Sequence, residues 1–252
     1  MSKQKALFTA ALLLCASTAL PEQTRPVLPE HEELSFVLRW GIVTGGHATL
    51  SIQGIEMYQG KPAYHLTSYA HSTGVVDTLY QVEDHSDAWV DTGTLVTFRY
   101  QKIVKEGKYH LQEGADFDPA SGHFYQQSYR FDKKRCELRE GPLPPDTRDV
   151  FGSLYYLRTL PMEVGQTYTI NVLSGDKLWP MVVKVKKREK VKVRAGKFDC
   201  FLVEPALKQP GIFVAKGKKV EVWLTADDRR MPVRMRSEVA IGHVAAELER
   251  YK

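Results

Sequence analysis

Apolar and polar residues alternate along most of this chain. Leu34, Phe36, Leu38 and Trp40 point one way in an extended strand, and the alternation resumes over residues 48–52 after the bend GIVTGG. A period of two predicts strands that bury one face. Further segments of this kind, separated by bends rich in Gly and Asp, follow up to residue 251. Many short strands at this spacing are typical of an antiparallel meander, so the sequence predicts a mainly β protein.

One segment departs from this alternation. In GPLPPDTRDVFGSLYYLRTLP, Val150, Leu154 and Leu157 recur at helical spacing, and Pro161 cannot continue a helix. We therefore expect a single short helix over about residues 147–160 that packs on the sheet as a lid or plug.

The same spacing predicts which helix residues are buried. Val150, Leu154 and Leu157 would form the buried stripe, while the polar residues Asp149, Ser153 and Thr159 would face outward. Arg158 lies near the apolar face, and a buried arginine needs a carboxylate partner. We expect it to reach an acidic residue or backbone carbonyl groups of the sheet.

The N-terminus resembles a secretory signal. The basic start MSKQK precedes the uncharged run ALFTAALLLCASTAL, and Ser17 and Ala19 are small residues at the end of that run. We expect a signal peptide over residues 1–19 that is cleaved after Ala19, and a periplasmic mature protein. An uncleaved anchor is an alternative, and Cys15 raises the possibility of lipid attachment, although the preceding Leu14 is not small. A flexible leader over residues 20–33 would precede a single β-rich domain over residues 34–252.

Composition excludes some partners. The chain has 252 residues and a net charge of +5, which falls to +3 (33 basic minus 30 acidic residues) once Lys3 and Lys5 leave with the signal. That charge is too small to indicate nucleic acid binding. After the signal, no apolar run reaches the roughly 20 residues that span a bilayer, so no transmembrane span is expected in the mature chain.

The two cysteines that remain after cleavage could be a disulfide pair or free thiols. Cys136 and Cys200 could pair in an oxidising compartment, but one sequence does not place them within bonding distance. Cys200 shares a predicted strand face with Phe198 and Leu202. We favour a buried thiol that acts as a small hydrophobic side chain.

Candidate chemistry is sparse. The acidic stretch EDHSD at residues 83–87 could hold a cation, but a solvated strand end is the favoured interpretation. Asp227 and Asp228 are interpreted as a bend between strands, because adjacent carboxylates make a poor catalytic pair. The lysines of residues 184–194 are read as a solvated outer face, with anionic lipid or cell-wall polymer as the alternative. The sequence therefore predicts no catalytic residue, no metal site and no cofactor.

The order of several motifs resembles the domain of unknown function family 3108, which consists of exported bacterial proteins. The motifs are LRWGIVTGGHATLSI, LYYLRTLPMEVGQTYTINVLSGDK, AGKFDCFLVEP and KVEVWLTADDRRMPVRMRSEVAIGHVAAEL, and the match runs from about Leu34 to Leu248. The resemblance implies no catalytic residue. The matching positions are Gly41, Gly45 or Gly46, Tyr155, Tyr156, Arg158, Gly165, Gly196, Thr225, Asp227 or Asp228, Pro232 and Gly242.

A looser likeness, at the level of fold, is to periplasmic lipoprotein carriers of the LolA and LolB kind. It implies a long antiparallel sheet curved into an open or closed barrel that can shelter an acyl chain. We therefore expect a non-enzymatic envelope protein that binds a lipid or the acyl chain of a lipoprotein. A structural or assembly factor that binds an envelope protein or glycan on its outer sheet is the alternative, and a hydrolase is the least favoured class. The candidate lining residues are Phe36, Leu38, Trp40, Leu154, Leu157, Trp179 and Trp223.

Overall fold

The computed structural model describes residues 28–175, 177–207, 219–238 and 242–252. The predicted signal peptide, its cleavage site and residues 20–27 of the predicted leader lie outside the described residues. The elements along the chain are β1 Glu32–Trp40, β2 Val43–Tyr58, β3 Lys61–Ser72, α1 Gly74–Leu79, β4 Val82–Asp91, β5 Thr97–Glu106, β6 Tyr109–Asp118, β7 His123–Arg130, β8 Arg135–Pro142, β9 Arg148–Asp149, α2 Val150–Arg158, β10 Thr167–Ser174, β11 Lys177–Val193, β12 Gly196–Leu207, β13 Val220–Thr225, β14 Pro232–Glu238 and β15 His243–Tyr251.

The fifteen strands of the described residues belong to one sheet, which confirms the predicted meander. Its order is β8-β7-β6-β5-β4-β3-β2-β1-β15-β14-β13-β12-β11-β10-β9. The first and last strands, β1 and β15, pair with each other in the middle of the sheet. Neighbouring strands are antiparallel except β9 and β10, which are parallel. The sheet is not closed, because β8 and β9 form its two edges. Of the two predicted forms, the open one is observed.

The predicted helix is confirmed as α2, but α1 was not predicted. Residues 75–79 of this helix belong to a segment, VVDTLYQVEDHSDAWV, that the sequence predicts to be a strand. Two apolar residues of α1, Val75 and Leu79, are 71% and 79% exposed. A helix of six residues without a buried stripe lacks the signal by which a sequence reveals a helix.

The two faces of the sheet differ in burial. Leu66, Ala88, Tyr100 and Ala115 are paired directly across β3, β4, β5 and β6, and all are at most 7% exposed. Directly paired residues share a face. We call the face that carries this row the inner face and the opposite one the outer face.

Side chains bridge the gap that the open sheet leaves. The Thr97 hydroxyl donates to Asp149 Oδ1 at 2.8 Å and accepts from the Asp149 amide at 2.9 Å. Arg148 Nη2 donates to the Thr94 carbonyl at 2.7 Å. Leu173 of β10 packs in one buried cluster with the inner-face residues of β3–β6. The sheet is therefore rolled so that its β9–β10 edge lies against β4 and β5.

The rolled sheet has two ends, which we call the mouth and the base. The hairpin turns β1–β2 and β10–β11 lie at the mouth. The start of β1 and the β13–β14 turn lie at the base. The last residue of α2, Arg158, contacts Glu32 of β1 and the Arg229 carbonyl of the β13–β14 turn, so the C-terminal end of this helix lies at the base.

Candidate functional site

A cavity of about 500 Å³ lies inside the rolled sheet between α2 and the inner face. Its volume is within the range of small-molecule sites, roughly 300–1,000 Å³. Aliphatic and sulfur-containing side chains form most of its wall, together with Trp179. The apolar lining residues are Leu50, Val150, Phe151, Leu154, Leu157, Val172, Leu173, Trp179, Met181, Val183, Val203, Pro205, Val220, Val222 and Met235.

Strand periodicity explains most of this wall. Trp179, Met181 and Val183 are alternate residues of β11, and Val220 and Val222 are alternate residues of β13. Alternate residues of a strand point to the same face, so each strand contributes a row of apolar side chains to the interior. The residues between them, such as Pro180 and Glu221, face outward.

Helix α2 is fixed at both ends. Asp149 is its N-cap, and its carboxylate accepts from the Phe151 and Gly152 amides at 2.8 and 3.0 Å. Burial raises the pKa of Asp149, although these bonds and the Thr97 hydroxyl oppose the rise. At the other end, Arg158 donates to both carboxylate oxygens of Glu32 at 2.6 and 2.7 Å.

The expectation for Arg158 is confirmed. It reaches an acidic residue and also the Arg229 carbonyl, at 3.2 and 3.3 Å. Its side chain is 1% exposed and that of Glu32 is 10% exposed. The buried charge is thus paired, and the pair joins the helix to the first strand.

The predicted orientation of α2 is wrong in part. Asp149, Ser153 and Thr159, which were expected to face outward, are buried, whereas Val150 is 38% exposed. The physical reason is that α2 lies within the rolled sheet and is covered on more than one side. The apolar residues Val150 and Leu154 line the hollow cavity, whereas the polar residues Asp149 and Ser153 are enclosed by hydrogen bonds.

Polar groups lie where the cavity approaches the mouth. The Tyr100 hydroxyl donates to Glu113 at 2.8 Å, and Lys102 Nζ lies 2.9 Å from the same carboxylate. Burial and the charge of Glu113 raise the pKa of Tyr100. Trp179 is 6% exposed, and its indole Nε1 has no hydrogen-bond acceptor among the described residues. Four serines also border this part of the cavity: Ser68, Ser86, Ser174 and Ser237.

The structure brings three of the seven predicted lining residues together at this cavity: Leu154, Leu157 and Trp179. Phe36 is 1% exposed in a filled cluster toward the base. Leu38 is half-buried, and Trp40 is 49% exposed at the end of β1. None of these three is among the residues that line the cavity.

Trp223 lies on the outer face. Its Nε1 donates to Glu189 at 2.8 Å, and it packs with the buried Cys200, Leu202 and Val233. The alternation of β13 could have placed it there, because Val222 and Leu224 point inward. Sequence reasoning also missed the lining residues Met181, Val183, Val203, Val222 and Met235, whose positions in alternating strands are equally compatible with an ordinary core.

The family-motif positions have structural roles. Four glycines, Gly41, Gly165, Gly196 and Gly242, adopt left-handed φ values between 58° and 142°. Gly46 lies where β2 and β3 approach closely, and a Cβ there would lie 2.1 Å from the His71 carbonyl oxygen.

Two other motif positions, Tyr155 and Tyr156, pack their rings against arginines, and a third, Pro232, begins a strand. The Arg158 guanidinium lies 4.9 Å from the Tyr155 ring centroid, and the Arg148 guanidinium lies 3.5 Å from that of Tyr156. Pro232 begins β14, as expected of a residue that lacks a ladder donor.

The stretch at residues 226–231 is a bend, as predicted. Asp227 accepts from the Thr225 hydroxyl and from the Arg229 guanidinium, and Asp228 is exposed. Burial alone would raise the pKa of Asp227, but these bonds outweigh it and hold the pKa below its ordinary value. The two carboxylates are not arranged as an acid and a base around a shared pocket.

Cysteines and the acidic stretch add no reactive centre. Cys136 is exposed, Cys200 is buried, and both are free thiols. Burial and the neighbouring Asp199 raise the pKa of Cys200 to about 12, so this thiol is poorly reactive.

Within the part of the chain that the structure describes, His, Cys, Asp and Glu residues do not gather into a group that could hold a metal ion. No helix of these described residues is long and apolar enough to cross a membrane.

Fold and cavity together define an open β-barrel protein with an interior space beside one internal helix. The chain belongs to the family DUF3108, described as a protein of unknown function, which matches residues 35–249. The predicted resemblance is thereby confirmed. None of the curated proteins is similar enough to this chain to count as a relative.

Several solved structures are similar to this chain, and the first described here shares its fold. A β-barrel-like protein of the domain of unknown function DUF1849 from Brucella abortus is 12% identical, with a TM-score of 0.59 over 90% of this chain and 98% of that one. An exported protein, so described, with a YmcC-like fold from Bacteroides fragilis is 11% identical, with a TM-score of 0.39 over 90% and 97%. A protein described as a lipoprotein, from Parabacteroides distasonis, is 10% identical, with a TM-score of 0.34 over 90% and 97%.

Proposed function

We propose that this protein is a non-enzymatic carrier or receptor of the bacterial envelope that holds the apolar part of an amphiphile in the cavity beside α2. The observation that carries the proposal is an apolar cavity of about 500 Å³ that the helix does not fill. Well-packed interiors leave few voids larger than a water molecule, so an apolar space of this size suits a ligand.

The polar groups near the mouth support an amphiphile over a purely apolar ligand. Buried polar atoms are nearly always hydrogen-bonded, and Trp179 Nε1 is a buried donor without an acceptor among the described residues. An ester or carboxylate oxygen of a ligand would satisfy it. Lys102 and the serines near the mouth can bind further oxygen atoms of the same headgroup. A lipid or the acyl chain of a lipoprotein has this chemistry.

The N-terminal sequence supports a place in the periplasm. A basic start, a short apolar run and the small residues Ser17 and Ala19 fit export and cleavage near Ala19. N-terminal sequencing of the protein isolated from its own cells tests this part separately. A chain that retained Met1 would contradict it.

Native mass spectrometry of the protein purified from its own envelope tests the ligand. We expect added mass that organic extraction releases and identifies as a lipid. In Leu154→Trp, where a larger side chain enters the cavity, the added mass should be lost. The matched control Val164→Trp places the same side chain at a residue that is 57% exposed outside the cavity, and it should retain the ligand. Equal loss in both variants, or no added mass in the wild type, would contradict the proposal.

A further inference from the structure

A second, larger concavity lies on the outer face of the strands from β4 to β8. Its volume is about 940 Å³, at the upper end of the range for ligand sites. We call it the outer trough. In contrast to the interior cavity, mostly polar and aromatic side chains line it.

The floor of the trough is centred on a glycine. Gly114 of β6 pairs directly with Gln101 of β5 on one side and with Gln127 of β7 on the other. Gln112 lies on the same face two residues before Gly114, and all three glutamines are exposed. Three uncharged amides, each with donors and an acceptor, therefore surround a position without a side chain.

The fold does not require glycine at this position. Neither the pairing of β5 with β6 nor that of β6 with β7 has a bulge here, and Gly114 is not among the residues with left-handed φ. A Cβ would meet Arg99 Nη2 at 3.4 Å and the Tyr100 carbonyl oxygen at 3.5 Å, which are ordinary contacts. Glycine within a strand costs stability and often marks a place where a ligand approaches the backbone.

Aromatic and charged groups complete the trough. Tyr125 and Tyr129 lie on either side of Gln127 on the same strand face, and Tyr125 is 48% exposed. Four residues of strand separate the two tyrosines by roughly 13 Å. The charges on this face are largely paired, since Arg99 contacts Asp116 at 2.6 Å.

We propose that the outer trough binds a neutral glycan strand. Sugar hydroxyl and acetamido groups donate and accept hydrogen bonds at once, as glutamine amides do. The C–H faces of sugar rings carry partial positive charge and stack on the negative face of an aromatic ring such as Tyr125. Gly114 lets a ring approach the sheet backbone.

Other macromolecules fit the trough less well. A nucleic acid requires several unpaired cationic side chains, and the cations of the floor are paired with carboxylates. An extended peptide would pair with the free edge of β8 and would need apolar pockets for alternate side chains. The side chains of Gln101, Gln112 and Gln127 do not form such pockets.

The experiment is a titration of the ¹⁵N-labelled protein with two neutral probes, the hexamers of N-acetylglucosamine and of glucose. At least one of the two hexamers should shift the resonances of the backbone amides near Gly114 and of the side-chain amides of Gln101 and Gln127. In Gly114→Val the fold should persist, because valine favours strands, and the affinity should fall at least tenfold. Tyr125→Ala should lower it similarly.

Two matched controls separate the trough from the rest of the surface. Tyr69→Ala removes another exposed tyrosine of the outer face outside the trough, and Leu154→Trp fills only the interior cavity. Both should bind the hexamer as the wild type does. The proposal is overturned if neither hexamer binds, if Gly114→Val binds normally while folded, or if only an extended peptide shifts these amides. Because the interior cavity plays no part in this titration, the result is independent of the proposed lipid site.

Discussion

The base and the mouth of the rolled sheet are built from the same strands, yet the base is filled and the mouth is hollow. Toward the base, large inner-face residues such as Leu34, Phe36 and Leu248 are at most 1% exposed. Toward the mouth, four inner positions carry serine instead. The difference indicates that the size of the inner-face side chains, and not the topology, determines where such a barrel contains a cavity.

The largest expected effect tests how the base is held. Glu32→Gln leaves the Arg158 guanidinium buried without a carboxylate, so we expect the free energy of unfolding to fall by about 3–5 kcal/mol. Urea denaturation measures it. The control Glu33→Gln removes an exposed pair with Lys252 and should cost less than about 1 kcal/mol. Equal effects in the two variants would show that the buried pair does not anchor α2.

The second test compares two leucines of the same helix. Both leucines line the cavity, but Leu157 is 4% exposed and packs among buried residues, so Leu157→Ala should destabilise the protein by about 2–4 kcal/mol. Leu154 is only partly buried and borders the cavity, so the same change there should cost about 1 kcal/mol. Denaturation of both variants without ligand measures the difference. A greater loss for Leu154→Ala would mean that the cavity is filled.

Much of the fold follows from local patterns. The period-two alternation yields the meander, and Pro161 together with the spacing of Val150, Leu154 and Leu157 yields α2. The partner of Arg158 could be predicted as a class, because a buried cation requires an acceptor. That this acceptor is Glu32 could not be predicted, because the contact joins residues 126 positions apart in the sequence.

The candidate sites were less accessible to sequence reasoning. Trp223 was proposed as a lining residue, although the alternation of its neighbours Val222 and Leu224 already placed it on the outer face. Lining a cavity and filling a core produce the same apolar period, so Phe36 and Met181 cannot be told apart by pattern. The outer trough depends on pairing across strands, which aligns Gln101, Gly114 and Gln127 only in the folded sheet.

A third prediction concerns pH and a carboxyl group near the mouth. Burial, followed by the charge of Glu106, raises the pKa of Asp84 to about 6 from 3.8. Between about pH 4 and pH 6 the folded state holds a proton that the unfolded state has released, so stability falls as the pH rises. A shift of about 2 units corresponds to at most about 3 kcal/mol, and since Asp84 is only half-buried, screening reduces this to about 1 kcal/mol.

Asp84→Asn removes this penalty. The variant should be more stable than the wild type by about 1 kcal/mol at pH 7 and equally stable at pH 4. Thermal denaturation at the two pH values measures the change. A variant that is less stable at pH 7 would show that the carboxylate makes a net favourable contact near the mouth.

The smallest effect is expected at the base, for Asp227→Asn. The pKa of Asp227 is lowered, so its contribution to stability has the opposite sign from that of Asp84: it is present above the pKa of the unfolded state and is lost as the pH falls through the folded value. Because the side chain lies in an exposed turn and asparagine also suits turns, we expect a loss within about 1 kcal/mol at pH 7. Denaturation at pH 7 and pH 3 should show the loss only at the higher pH. If the folded variant instead lost ligand from the interior cavity while its stability was unchanged, the bend at residues 226–231 would be a functional site and the base would be more than a structural closure.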